Sequence, residues 1–316
     1  MGVETLVSVV VPLYNKEDYI LDTVKSILDQ TFSDFELLII NDGSIDNSLE
    51  RLKGISDSRV KVINQENQGV SAARNKGVKL ASGKWVAFLD ADDYWDQTFL
   101  EKLTRLINQY PDGKIFSSGR RLRFKDKIEE YNNPLLPDPG SSASVDYIQI
   151  IEKYLPPIHS SSCLICRDLL VESSGFRPGM RKFEDHDLWI RLAYNRPVFF
   201  LNDPLLTYRK DVEVKFSGSK CTLTAPDFIA YLSTLADIKS KVINLEHIVC
   251  IENYAFRFCI YNFVLHANSF ISKEKKEILC LMKGLLGKYH YTILYFIMTL
   301  KPSLLNLLLL MYRKVK

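Results

Sequence analysis

Cysteine is scarce. Six residues in a chain of 316 cannot make the dense disulfide framework that staples small secreted domains. The start, Met1 to Leu6, is too short and too polar for a secretory leader, so a reducing cytoplasm is the expected compartment. His159, Cys163 and Cys166 invite a zinc reading, but no second pair supplies the closure of a tetrahedral site. Both cysteines fall in an expected strand, Ser162 to Cys166, where residues three apart face opposite sides. They read as buried structural thiols. A long apolar run is also lacking. A spanning helix needs about 20 apolar residues, and the best candidates, Tyr291 to Leu300 and Leu304 to Tyr312, are split by Lys301-Pro302.

Charge of one sign is missing as well: the net value is only +3, and it is unevenly spread. From Ile271 onward nine Lys or Arg stand against two Glu, a local +7 that leaves −4 for the residues before it. The larger part of the chain is therefore no general nucleic-acid binder, while the basic end suits an anionic surface. Hydrophobic content of 47% with 25% charged residues is that of a globular protein, not a disordered one. The length allows one large core or two modest ones.

What is present is a regular alternation over the first 124 residues. Val7 to Val11 is a continuous β-branched run and reads as a central parallel strand. Ile20, Val24, Ile27 and Leu28 follow at helical spacing. Phe35 to Ile40 is a second strand, ending in a turn at Asn41-Asp42-Gly43-Ser44. Asp46 to Leu52 reads as a short helix, Val60 to Ile63 as a third strand, and Ser71 to Leu80 as a helix of small residues that can pack closely on a sheet. Trp85 to Leu89 is a fourth strand. A helix capped by Asp96 follows, carrying Leu100, Leu103, Leu106 and Ile107. This series predicts an α/β fold, a mostly parallel sheet with helices on both faces.

The pattern breaks between Asp126 and Ser144 into a long loop rich in Pro, Gly and Ser, with a lid over a substrate as one role for it. Helix resumes near Val145 to Tyr154, then the strand Ser162 to Cys166, then a helix ended by Gly175. Phe183 to Leu192 begins with acids and turns amphipathic, as a helix N-terminus does. Val198 to Leu201 and Leu205 to Tyr208 read as two short strands, and beyond Thr224 almost everything reads as helix.

The chemistry concentrates in Leu89-Asp90-Ala91-Asp92-Asp93. A strand buried on both faces has no place for charge in its middle, so these acids must emerge at its carboxyl edge, where ligands bind in open α/β sheets. Carboxylates two apart suit a hard cation such as Mg²⁺ or Mn²⁺. A solvated acidic turn gives the same tripeptide, and only the rest of the chain separates the two.

Taken together, Val9-Val10-Val11-Pro12-Leu13-Tyr14-Asn15, Asn41-Asp42-Gly43-Ser44, Ala73-Arg74-Asn75, Leu89 to Asp93, and Glu184-Asp185 ahead of Leu188-Trp189-Ile190-Arg191 resemble, in order and spacing, the family 2 inverting nucleotide-sugar glycosyltransferases. That resemblance covers about Val7 to Arg209. It implies a GT-A fold over 1–215, with a nucleotide-binding half about 1–124 and an acceptor half about 145–215, followed by a helical region over 216–316. It also implies donor contacts from Pro12, Tyr14, Asn15, Glu17, Asp42, Arg74 and Asp90. Asp92 is the implied metal ligand with Asp90 beside it, and Asp93 is a second candidate if the register is shifted by one. Asp185 is the implied general base, taking the proton of an attacking hydroxyl; Glu184 and Asp187 remain alternatives, since acids stabilise a helix N-terminus in any case.

The implied partners are a nucleotide sugar, UDP first with dTDP and GDP open, and a glycan or lipid-linked acceptor. No nucleic acid is expected. The chain departs from the family in two places. No His stands shortly after Tyr208-Arg209, leaving Lys210 or Lys215 to hold phosphate charge, and the Gln-x-x-Arg-Trp motif of processive members is absent, which favours addition of one sugar. The apolar runs of 289–316, with their basic flanks, fit a pair of interfacial helices at the inner face of the cell membrane; a buried helical subdomain or a homodimer interface fits them equally. Two rival classes are a nucleotidyltransferase, disfavoured because no glycine-rich basic loop follows the first strand, and a non-catalytic sugar-nucleotide-binding protein.

Overall fold

The computed structural model describes residues 6–211, 223–266, 270 and 272–299. Strand β1 (Val7–Leu13) is buried almost throughout, as a β-branched run at the centre of a doubly covered sheet must be. It pairs in parallel with β2 (Phe35–Asp42), which pairs in parallel with β3 (Val60–Gln65). On its other side it pairs in parallel with β4 (Trp85–Phe88). The crossovers are α1 (Ile20–Leu28), α2 (Ser48–Leu52) and α3 (Val70–Leu80). Close approach of α3 depends on Gly77, where an added Cβ would stand 2.2 Å from Cγ1 of Val10. The absent side chain lets the helix that carries Arg74 settle directly on β1.

Strand β2 runs two residues further than its apolar pattern predicts. Asn41 and Asp42 are not turn residues but pair with Asn64 and Gln65 of β3, and Asn41 Nδ2 donates to Asn64 Oδ1 at 3.0 Å. The next helix also differs from expectation. After the two-residue β5 (Tyr94–Trp95), α4 (Phe99–Gln109) has Thr98, not Asp96, at its N-cap. Asp96 instead accepts from the Thr98 backbone N–H and hydroxyl at 3.1 and 2.9 Å.

The second half of the sheet is where sequence pattern and structure part most. Strand β6 (Ile115–Arg123) was not evident from periodicity. The segment from Asp126 to Ser144 is not a free lid, because β7 (Ile128–Glu130) pairs antiparallel with β6 and β8 (Ser142–Val145) pairs antiparallel with β10 (Val198–Arg209). Tyr131 anchors it further: its ring lies 3.8 Å from the Arg120 guanidinium, and its hydroxyl donates to Leu155 O at 2.7 Å. The two expected strands at Val198 and Leu205 are one, with register shifts between Leu201 and Leu206 on either side of Pro204. Strand β9 (Cys163–Cys166) lies antiparallel between β4 and β6, so the order is β3-β2-β1-β4-β9-β6-β10-β5.

Helix α5 (Tyr147–Lys153) is capped by Asp146, a 3₁₀ turn spans Ser160–Ser162, and α6 (Arg167–Glu172) precedes α7 (Glu184–Ala193). The chain leaves α6 through positive φ at Ser174 and Gly175, and the Gly175 N–H closes on Leu170 O at 3.0 Å.

Two compact units emerge, Met1–Ile150 with Tyr154–Cys221, and Ile151–Lys153 with Thr222–Lys316. The second unit is helical wherever described: α8 (Ala225–Lys241), α9 (Leu245–His266), α10 (Ser272–Leu285) and α11 (Lys288–Thr299). Thr224 and Asp227 form a reciprocal capping box that starts α8. Phe228 stacks on Phe258 at 5.3 Å in its core, and the Tyr231 and Tyr254 hydroxyls meet at 2.8 Å. Among the described residues no helix is long and apolar enough to cross a membrane. The run Leu304 to Tyr312 lies outside them.

Candidate active site

The carboxyl edge of β1, β2 and β4 gathers most of the motif residues. Pro12 lies beyond the last β1–β4 pair, Val10↔Phe88, so its missing N–H costs no bond to β4. Tyr14 is half-buried beside it. Asn15 adopts a left-handed conformation at φ 51°, which Asn tolerates better than most residues. Its Oδ1 accepts from the Ile45 N–H at 2.8 Å, its own N–H donates to Ser44 Oγ at 3.1 Å, and the Lys16 N–H donates to Ser48 Oγ at 2.8 Å. Glu17 belongs to the same lacing: its carboxylate accepts from the Asn47 N–H, and its own N–H donates to Asp46, both at 3.0 Å. The loops after β1 and β2 are thereby held as one surface.

Asp42 is only 3% exposed. Its carboxylate accepts from Gln65 Nε2 at 2.7 Å and from the Gln68 and Gly69 N–H groups at 2.8 Å each. Three of about four lone-pair positions are thus taken by the protein. The side chain holds the 65–69 segment first and can offer at most one further acceptance.

The three acids after β4 have separate fates. Asp90 accepts from Arg74 Nη2 at 2.6 Å; burial works against its charge, but Arg74 outweighs it and holds the carboxyl below the usual range. Asp92 accepts from Lys16 Nζ at 2.5 Å. Asp93 is fully buried, accepting from the Ser161 hydroxyl at 2.7 Å and the Arg209 N–H at 3.1 Å. Burial first, and then the Asp92 and Asp90 charges, push it well above the carboxylate range. Its two hydrogen bonds tie the acidic turn to the 3₁₀ turn and to β10, and of the two candidate ligands Asp92 is the more accessible.

Arg74, 3% exposed, joins this edge to α7. Its Nη1 donates to Glu184 at 3.1 Å while Nη2 holds Asp90, so it is no surface ion pair. The neighbouring Asn75 accepts from the Phe176 N–H at 2.8 Å and donates to Phe176 O at 2.7 Å, which fixes the Phe176 ring 5.0 Å from the Arg74 guanidinium. Burial penalises the Arg74 cation, but Asp90 and Glu184 more than offset that and raise its pKa.

On α7 the acids also divide. Asp185 is half-buried in the first turn, accepting from the His186 N–H at 2.8 Å. Asp187 is fully buried and ion-paired with Arg177 at 3.2 Å and Arg191 at 2.9 Å, and Arg191 in turn donates to Ser173 O and Gly175 O at 2.7 Å. Asp187 is thus engaged by two arginines inside the fold, whereas Asp185 stays half-buried. Glu184 is pushed up to about 7, by burial and then by the Asp185 charge, with Arg74 pulling the other way.

Sequence reasoning missed Lys16, which no periodicity marks, although its place directly after the β1 loop is a usable signal. His159 was considered only for zinc. It caps the 3₁₀ turn instead, Cys163 and Cys166 are buried in β9, and no group of three metal-ligating side chains occurs among the described residues. Lys210 lies with its Nζ 4.0 Å from the Tyr208 ring centre, and burial lowers its pKa; Lys215 lies outside the described residues. Asp90 and Asp92 alone do not cage a cation. Paired carboxylates do fit a hard ion that keeps its waters and shares phosphate oxygens. Asn15 Nδ2 and Arg74 Nε are buried without partners among the described residues, as donors awaiting a polar ligand would be.

The mostly parallel sheet flanked by helices, with a helical region after it, is consistent with a GT-A, Rossmann-like fold. Residues 8–183 match the family model described as glycosyl transferase family 2, and the chain belongs to that family. It is 31% identical over 246 residues to an uncharacterized glycosyltransferase of Rickettsia conorii, covering 76% of this chain and 37% of that protein. Over 106 residues it is 42% identical to the glycosyltransferase EpsJ of Bacillus subtilis, 33% of this chain and 31% of that one. The chain thus spans well under half the length of these relatives. S. aureus TarS 1–349, solved with UDP-GlcNAc, superposes with a TM-score of 0.70 at 19% identity over 89% of this chain and 80% of that chain, a likeness of fold.

Titration of Glu184 supplies a test of the Arg74 bridge. A folded pKa of about 7 against an ordinary 4.5 means that the folded chain holds the extra proton between those values. Stability therefore falls as pH rises through that window and levels above it. Glu184→Gln lacks this titration, so thermal unfolding across the window should show its melting temperature gaining on wild type as pH rises. A difference between the two proteins that is constant with pH contradicts the assigned environment.

Proposed function

We propose that this chain is a metal-dependent inverting glycosyltransferase that moves one sugar from a nucleotide sugar, UDP-linked, to a hydroxyl of a glycan or lipid-linked acceptor in surface-polysaccharide synthesis. The observation that carries the reading is the pairing of Asp90 and Asp92 at the sheet edge with Asp185 at the start of α7, joined through Arg74. TarS structures hold UDP and UDP-GlcNAc on the same fold, which supports UDP as the nucleotide.

In this reading Pro12, Tyr14, Asn15 and Glu17 shape the nucleotide surface, with Glu17 acting through the loop it braces. Asp42 offers its remaining lone pair to the base, and Asp90 approaches the ribose. Asp92, with Asp90, would hold Mn²⁺ or Mg²⁺, which when bound supplies Lewis-acid stabilisation of the departing diphosphate. Lys16, already on Asp92, adds a second positive charge at the same place. Asp185 accepts the proton of the acceptor hydroxyl as that oxygen attacks from the side opposite the leaving group. This is single displacement, the geometry of inverting glycosidases with the acceptor in place of water.

Asp185→Asn keeps size and hydrogen bonding and removes the proton acceptor. Incubated with UDP-sugars, Mn²⁺ and a glycan acceptor, it should release UDP roughly 10²–10⁴-fold more slowly than wild type, with UDP–Mn²⁺ affinity by calorimetry unchanged. Weakened UDP binding instead would make Asp185 a donor-positioning group, and full activity would move the base role to Glu184.

The helical end is read as a peripheral membrane contact. Tyr289 is 76% and Tyr295 50% exposed on α11, and aromatic side chains favour the membrane–water boundary. Full-length protein should float with anionic phospholipid vesicles and a chain lacking residues 289–316 should not. Equal behaviour of the two makes the segment a core or a homodimer interface.

A further inference from the structure

His159 is held where neither its cap nor its neighbours require an imidazole. Its backbone is locked into the 3₁₀ turn, because the His159 N–H donates to Ser162 Oγ at 3.2 Å and the Ser162 N–H to His159 O at 2.9 Å. That turn is itself fixed to the acidic edge: Ser161 Oγ accepts from the Asp90 N–H at 3.2 Å and donates to Asp93 at 2.7 Å, and Ser161 O accepts from Trp95 Nε1 at 2.6 Å. The ring has little freedom either. Nδ1 accepts from the Ser161 N–H at 3.1 Å, and the imidazole lies 4.7 Å from the Tyr208 ring, tilted by 43°.

An Nδ1 that accepts must be unprotonated, so the neutral ring carries its hydrogen on Nε2. Burial and then the Arg120 charge hold the imidazole down to about 3, against the pull of Asp90 and Asp185, so it is neutral at working pH. Among the described residues nothing accepts from that Nε2–H. The half-buried ring lies within electrostatic reach of both Asp90, on the nucleotide side, and Asp185, on the reacting side. Through Ser161 the turn that carries the ring is bonded to the Asp90 backbone, which sets this donor beside the acidic edge. A neutral N–H suits a sugar hydroxyl: it gives direction without drawing charge away from the carboxylate that must accept a proton.

Resting on the glycosyltransferase reading above, we propose that His159 is a sugar-recognition residue whose Nε2–H donates to a hydroxyl of the transferred hexose. It would thereby orient that sugar between Asp90 and Asp185. Its ring position is set by the Ser161 N–H and by Tyr208, so the 3₁₀ turn acts as the mount of a specificity contact.

The capping and recognition roles separate by substitution. Asn is a good cap acceptor, so His159→Asn keeps the short acceptor toward Ser161 and loses the distant N–H. Gln carries an amide N–H further out but caps less well. Calorimetry with UDP, UDP-glucose, UDP-galactose and UDP-GlcNAc, each with Mn²⁺, is run on full-length wild type and both variants, together with transfer kinetics. His159→Asn should match wild type in melting temperature and UDP affinity. For the preferred UDP-sugar it should lose roughly tenfold in kcat/KM, the scale of one neutral hydrogen bond, and His159→Gln should regain part of that loss. Wild-type sugar selectivity and transfer in His159→Asn overturn the assignment and leave His159 a cap. An equal loss for UDP itself overturns it in favour of a nucleotide contact. Wild-type protein that binds no sugar nucleotide overturns the glycosyltransferase reading and this assignment together.

Discussion

The buried Arg74 bridge is the interaction on which the rest of the site depends. One guanidinium, 3% exposed, holds Asp90 at the end of β4 and Glu184 at the start of α7. Removing it would leave two carboxylates facing each other in a poorly solvated space, and breaking a buried pair from one side costs about 3–5 kcal/mol. Its place is secured by packing as much as by charge. Gly77 brings α3 onto Val10, and Asn75 clasps the Phe176 backbone so that an aromatic face supports the cation. The acidic edge after β4 and the helix that carries Asp185 are thus both held from α3.

Around that bridge, charge is handled in three ways. Asp93 is sealed, with burial raising its pKa, Asp187 is ion-paired with two arginines, and Asp92 and Asp185 remain half-buried. The same tripeptide or helix turn therefore carries both sealed and accessible carboxylates. Lys16 fits this division, since it places a cation on the half-buried Asp92.

The part of the sheet from β1 to β4 was legible because its signals are local. A β-branched run marked β1 and apolar runs marked β2 and β4, the helical spacing of α1 and the small residues of α3 marked crossovers, and acids after an apolar run marked the sheet edge. What the pattern could not carry was partnership at a distance. The role of Asp42 depends on the Gln68 and Gly69 N–H groups, which sequence spacing does not bring to it. That Asp93 is sealed depends on Ser161 and Arg209, residues more than 60 positions away. Strands β7 and β8 are short edge elements set among Pro, Asn and Gly, and β10 hides its continuity behind Pro204, so composition alone read them as loop or as two strands.

The central claim is that Asp185 and the acidic edge act on opposite sides of one sugar, so that the acceptor displaces the nucleotide in a single step. Proton NMR of the wild-type product formed from an α-linked UDP-sugar reads this directly, through the coupling constant of the anomeric hydrogen. The account predicts a β-linked product, with configuration inverted. A product that retains the α configuration would contradict it, whatever the variants show.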